Sequence, residues 1–218
     1  MCAAARGGQI LTTDVVRAVL GRHAAQTFVD IGPLELKGLP DPVHAVEVVW
    51  EAARPVGAPI LLVGSSMGGW IALLLARELN RRAATGAKLA GSLAGIVLIA
   101  PAADFTEELM WKAFPESVKQ KILEEGVYHH PSAYGEPYPI TKKFIEDGRN
   151  HLMFGAPITP HAPVHILQGM KDPDVPVAHM QRLLDHMPEA DVSVSYVKDG
   201  DHRLSRPEDL DLLQRVVE

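Results

Sequence analysis

A serine set between glycines is the first feature with chemical content. Ile60-Leu61-Leu62-Val63-Gly64-Ser65-Ser66-Met67-Gly68-Gly69 holds a Gly-x-Ser-x-Gly string, directly after an apolar run and directly before a helical pattern. A serine on so tight a strand-to-helix turn lifts its hydroxyl above the sheet, where it can attack a carbonyl carbon. Gly64 and Gly68 are expected to leave room for that turn, since side chains there would strike neighbouring backbone. Alone the string is weak, because a glycine-rich turn with an incidental serine is its bland reading. The flanking strand and helix make it selective, and the glycine spacing picks Ser66 over Ser65. Met67 would present its backbone N–H at a helix N-terminus, where it can stabilise an oxyanion.

A hydroxyl is a poor nucleophile without a base. After such a turn the expected chain order is acid, then histidine. Gln168-Gly169-Met170-Lys171-Asp172-Pro173-Asp174-Val175-Pro176 follows an apolar run at 164–167 and offers two carboxylates, Asp172 and Asp174. Turn-forming Asp-Pro pairs are the plain account of one of them. Asp199-Gly200-Asp201-His202-Arg203 follows the run Val192 to Val197. A lone loop histidine is ordinarily a surface residue, but the position of His202 after Ser66 and the aspartates suits a general base. His161 and His165 straddle Pro163 and a strand start, and His129-His130 reads as a loop pair. No Cys/His cluster has zinc-site spacing. Neither a metal nor a cofactor is expected.

These residues need elements that bring them to one edge. Ile60 to Val63, Ile96 to Ala100, His165 to Gln168 and Val192 to Val197 read as buried strands. Gly68 to Leu79, Val177 to His186 and Pro207 to Val217 read as helices. Apolar strands separated by helices predict an α/β fold, a mostly parallel sheet with helices on both faces. Residues 105–155 interrupt the rhythm with Trp111, Phe114, Tyr128, Tyr134, Tyr138 and Phe144. So long a structureless loop is uncommon, so a partly helical cap insertion is expected. Its aromatics Trp111, Phe114 and Tyr138 are candidates for binding substrate, against the alternative of ordinary core packing.

Residues 1–53 differ in character. Thr12 and Thr13 suit a helix cap, and Val15, Val16, Val19 and Leu20 one helical side. Phe28 to Trp50, with turn signals at Gly38-Leu39-Pro40-Asp41-Pro42, reads as a hairpin. The expected domains are thus 1–53 and 54–218. The 218 residues carry a net charge of −6 with both signs mixed, which argues against a nucleic-acid surface. A single cysteine, Cys2, excludes an intrachain disulfide and suits a reducing compartment. The N-terminus makes a poor signal peptide, and the longest apolar run, Ile71 to Ala76, is too short to span a bilayer. A cytoplasmic protein without membrane or nucleic-acid partners is expected.

From about Ala58 onward the chain resembles the α/β-hydrolase superfamily, and more narrowly the bacterial hydrolases related to the mitochondrial acyl-protein thioesterase and acyl-glucuronide esterase. The likeness is carried by Val63-Gly64-Ser65-Ser66-Met67-Gly68-Gly69-Trp70, Ala100-Pro101-Ala102-Ala103-Asp104-Phe105-Thr106, Tyr138-Pro139-Ile140-Thr141, Gly169-Met170-Lys171-Asp172 through Val175-Pro176, and Asp199-Gly200-Asp201-His202-Arg203. The resemblance implies that Asp172 rather than Asp174 is the acid. It also implies a preceding half, with further strands and a glycine-rich loop giving a second oxyanion donor. Here the preceding stretch instead resembles the C-terminal tail of class III adenylate/guanylate cyclases, through Gly8-Gln9-Ile10-Leu11-Thr12-Thr13 and Glu35-Leu36-Lys37-Gly38-Leu39-Pro40-Asp41-Pro42-Val43. No cyclase activity follows, since such a tail lies beyond the cyclase metal site. The whole reads as a truncated α/β-hydrolase behind a helix-plus-hairpin segment. The Ile60–Val63 strand then becomes an exposed edge, to be covered by the hairpin or by a second subunit. The expected function is hydrolysis of a small acyl ester or thioester through Ser66, His202 and Asp172. The rival is a catalytically weak or inactive remnant serving as an interaction module.

Overall fold

The computed structural model describes residues 11–13, 27–34, 43–49, 59–87, 91–132 and 135–217. The chain divides into two compact units, Met1–Pro55 and Val56–Glu218.

In the first unit, β1 (Leu11–Thr13), β2 (Thr27–Leu34) and β3 (Val43–Val49) form an antiparallel sheet in the order β1-β3-β2. The hairpin expectation corresponds to β2 and β3. Gly32-Pro33 does not interrupt β2. Gly32 takes a positive φ of 86° at a bulge, and its N–H donates to Asp30 Oδ1 at 2.8 Å. Thr12 and Thr13, expected to cap a helix, instead pair with Val46 and Ala45. Threonine is β-branched and suits a pleated strand at least as well as a cap. The helical positions Val15, Val16, Val19 and Leu20, the turn at 38–42 and Trp50 lie outside the described residues.

The second unit is built on a parallel sheet of β4 (Ile60–Ser65), β5 (Leu93–Ile99), β8 (Val164–Gly169) and β9 (Val192–Val197), in that order. Helix α1 (Met67–Ala84) follows β4, α4 (Val177–Asp185) precedes β9, and α5 (Pro207–Val217) ends the described chain. The alternation of β5 explains the two layers. Ile96 and Leu98 face a core with Leu73 and Ala76 of α1 and Met180 and Leu183 of α4. Val97 and Ile99 face the other core, closed by Leu204 and by Leu212, Leu213 and Val216. Period-two strands with both faces apolar need helices on both sides.

Between β5 and β8 lies the cap. It holds a π-helix (Thr106–Trp111), α2 (Glu116–Glu125), an antiparallel hairpin of β6 (Val127–Ser132) and β7 (Gly135–Thr141), and α3 (Lys142–Arg149). The helical part was expected and the hairpin was not. Pro131, Pro137 and Pro139 conceal it, but a two-stranded ribbon tolerates proline because each strand has an unpaired edge. Ile122, Ile140 and Ile145 form the cap's own small core. Among the described residues, no helix is long and apolar enough to cross a membrane.

Candidate active site

All strands of the four-stranded sheet run the same way, so the loops after β4, β5, β8 and β9 meet at one edge. Ligands of open parallel sheets bind at this edge. Ser66 stands between β4 and α1 with φ 54° and ψ −121°, on the side of conformational space that L-residues avoid. The turn is pinned from three directions: Ser66 N–H donates to Ile99 O at 2.8 Å, while Ser66 O accepts from Gly69 N at 2.9 Å and Ala102 N at 3.0 Å. Ala100, Asp104 and Leu204 also have positive φ, so four strained residues surround the same edge.

The glycines divide the work differently from the expectation. A Cβ on Gly64 would collide with the carbonyl of Gly68, and one on Gly69 would come within 2.9 Å of Pro101 Cβ. A Cβ on Gly68 would meet nothing within 4 Å. Gly64 and Gly69 therefore make the turn possible, and Gly68 is the bystander.

His202 joins the serine to an acid. Its Nε2 lies 3.0 Å from Ser66 Oγ, and its Nδ1 lies 2.8 Å from Asp172 Oδ2. The Asp172 side chain has no exposed surface, and its Oδ1 accepts the backbone N–H of Asp174 at 2.8 Å and of Val175 at 2.9 Å. Asp174 is exposed, with its carboxylate within 4.8 Å of the His202 and Asp172 ligand atoms. Met67 opens α1, and its N–H is among the first-turn donors that a helix leaves unpaired.

Backbone contacts hold the two loops together. Met170 N donates to Val197 O and Lys171 N to Gly200 O, both at 2.9 Å. A Cβ on Gly169 would strike the carbonyls of Gly200 and Asp201, so glycine lets the histidine loop lie across the acid loop. Gln168 is fully buried, and its Nε2 donates to Gly169 O and Val175 O at 3.0 Å each, bracing the loop that carries Asp172. The roles of Gly169 and Gln168 are not apparent from the sequence alone. Their signal was a lone amide and a glycine ending an otherwise apolar strand.

A cavity of about 480 Å³ opens at Ser66 and His202. Phe105, Leu109, Met110, Phe114 and Ile140 give it apolar walls, with His130, Tyr138 and Asp174 among the polar lining. Phe114 and Tyr138 thus line the cavity, and Trp111 does not. Trp111 packs toward the cap core, with the Arg149 guanidinium 4.8 Å over its ring. Leu109 and Met110 of the π-helix line the cavity instead. His130, read as a loop residue, lies in β6 with its ring centroid 5.4 Å from that of Tyr138. Burial, and to a lesser degree the Asp174 charge, push the Tyr138 hydroxyl above the usual phenol range.

Two buried ionisable residues, Asp104 and His179, stand outside the cavity lining. Asp104 is buried, and its carboxylate accepts from Met153 N and Phe154 N at 2.8–2.9 Å. Burial raises its pKa, opposed in part by those bonds. His179 Nε2 lies 2.8 Å from Ala103 O, and burial lowers that imidazole's pKa. Glu107 holds Arg149 at 2.8 Å, and Glu108 holds Lys112 and Arg182, so ion pairs fasten the π-helix to α3 and α4.

No family model matches the chain. It is 33% identical over 162 residues to the mitochondrial palmitoyl-protein thioesterase ABHD10 of Pongo abelii and 30% identical to that of Homo sapiens. Each match covers 73% of this chain and 49% of the relative. A protein of Agrobacterium vitis S4 whose crystal structure is described as that of a hydrolase superposes with a TM-score of 0.68 at 44% identity, covering 73% of this chain and 60% of that one. Mouse alpha/beta hydrolase domain-containing protein 10 gives 0.61 at 32% identity, covering 77% and 62%. The chain therefore spans about half the length of the curated relatives it matches.

Proposed function

We propose that this chain, whose fold is that of the α/β hydrolases, is a serine carboxylic-ester hydrolase, an esterase or thioesterase, working through an acyl-enzyme intermediate. The observation that carries this reading is the unbroken hydrogen-bonded path from Ser66 Oγ through the His202 ring to the buried Asp172. Ser66 attacks the acyl carbonyl as His202 Nε2 takes its proton. Asp172 holds the ring through Nδ1 and stabilises the imidazolium that forms. Met67 N–H meets the oxyanion. His202 then gives the proton to the leaving group, and water attacks the acyl-enzyme by the same route in reverse. The apolar walls suit an apolar acyl group of short to medium size, and the relatives named as palmitoyl-protein thioesterases support the thioester branch. A cytoplasmic location belongs to the same proposal and is checked by cell fractionation.

The test is turnover of p-nitrophenyl butyrate. The wild type should exceed Ser66→Ala by at least about 10³-fold, and a fluorophosphonate probe should label Ser66. Equal rates for the two proteins would overturn the reading.

A further inference from the structure

Among the described residues lining the cavity, Asp174 is the single carboxylate, and neither lysine nor arginine joins it. Its place is tied to the site, since its backbone N–H donates to Asp172 Oδ1. Its carboxylate is exposed, lies within 4.8 Å of a His202 ring nitrogen, and lines the same cavity as Ser66 and His202. Phe105, Leu109, Met110 and Phe114 offer the acyl chain an apolar surface. The leaving group must approach His202, which protonates it as its bond to the acyl carbon breaks. It therefore passes beside Asp174.

On this geometry, and resting on the esterase reading of the same site, we infer that Asp174 filters substrates by the charge of their leaving group. Esters and thioesters whose leaving group is neutral or cationic next to the scissile bond are admitted. Those with an anionic leaving group, such as phosphate-bearing acyl carriers, are turned away. Asp174 takes no proton and forms no bond. At roughly 6 Å in a water-like dielectric one unit charge changes an encounter by about threefold, so a cation and an anion are separated by about tenfold. Salt weakens the effect.

The experiment compares kcat/KM for butyrylcholine, p-nitrophenyl butyrate and the butyrate ester of 4-hydroxybenzenesulfonate. The proteins are the wild type, Asp174→Asn, Asp174→Glu and Ser66→Ala. Intrinsic reactivity cancels when each ester's rate is compared between proteins. The cation-to-anion ratio should fall about tenfold in Asp174→Asn, hold in Asp174→Glu, and fall in the wild type at high salt. Ser66-dependent turnover with a ratio unmoved by Asp174→Asn overturns this inference alone. Turnover of the neutral ester that persists in Ser66→Ala, or its absence from the wild type, overturns the esterase reading and with it the filter.

Discussion

At the scale of single residues, the acid loop and the glycines give the sharpest tests. Asp172 accepts from His202 and from two backbone N–H groups, so it both orients the ring and shapes its own loop. Asp172→Asn should lower kcat by about 10³–10⁴ with little change in KM, because the amide favours the wrong imidazole tautomer. Steady-state kinetics on a neutral ester check this. Gly64→Ala should lose several kcal/mol, on the order of other severe backbone clashes, since its methyl would meet the Gly68 carbonyl. Gly68→Ala should fold as well as the wild type or gain up to about 1 kcal/mol from helix propensity. Thermal melts of the two variants decide the matter. Asp104 gives a pH signature. Its folded pKa is raised above 3.8 by burial, so the folded state holds its proton more tightly than the unfolded state. That contribution is fully present below 3.8 and is lost as pH rises through the raised value. Urea titrations from acid upward should show wild-type stability falling relative to Asp104→Asn across this window.

At the scale of elements, the acid and histidine loops act as one part. The Gly169 backbone lies under the carbonyls of Gly200 and Asp201, and Gln168 braces the acid loop at both ends. Gly169→Ala should therefore cut kcat by more than tenfold while leaving far-UV circular dichroism unchanged, since the shift falls on His202 rather than on the sheet. The four strands of the parallel sheet and helices α1, α4 and α5 were legible because their periodicity is strong and both faces of the sheet are apolar. Ser66 and His202 could be selected because each lies in a loop after a legible strand, whereas Asp172 was separated from Asp174 only by the family resemblance. The hairpin β6–β7 was hidden by its prolines. The roles of Gly69, Gly169 and Gln168 were hidden because each depends on a chain segment distant in sequence. Trp111 was a candidate only as a cap aromatic, and aromatic character does not tell a cavity wall from core packing: it packs against the cap core, while Leu109 of the same π-helix lines the cavity.

At the scale of the molecule, β4 is the outermost strand of the four-stranded sheet, and no described strand pairs with its free edge. Leu61 and Val63 are 40% and 50% exposed, and Ile71 and Leu75 of α1 are exposed as well. An apolar edge of this kind invites pairing with another chain. The corresponding proposal is self-association through β4. Light scattering across a concentration series should find oligomers in the wild type, and Val63→Lys should reduce them; a monomer at every concentration would rule it out. The strained backbone at Ser66 bears on the molecule as a whole too. Such a conformation costs on the order of 1–3 kcal/mol, and glycine would adopt φ 54° freely. A mutant library sorted only for heat resistance should thus enrich Ser66→Gly, while one sorted for turnover should purge it. The nucleophile would be among the first residues lost once selection stopped asking for chemistry.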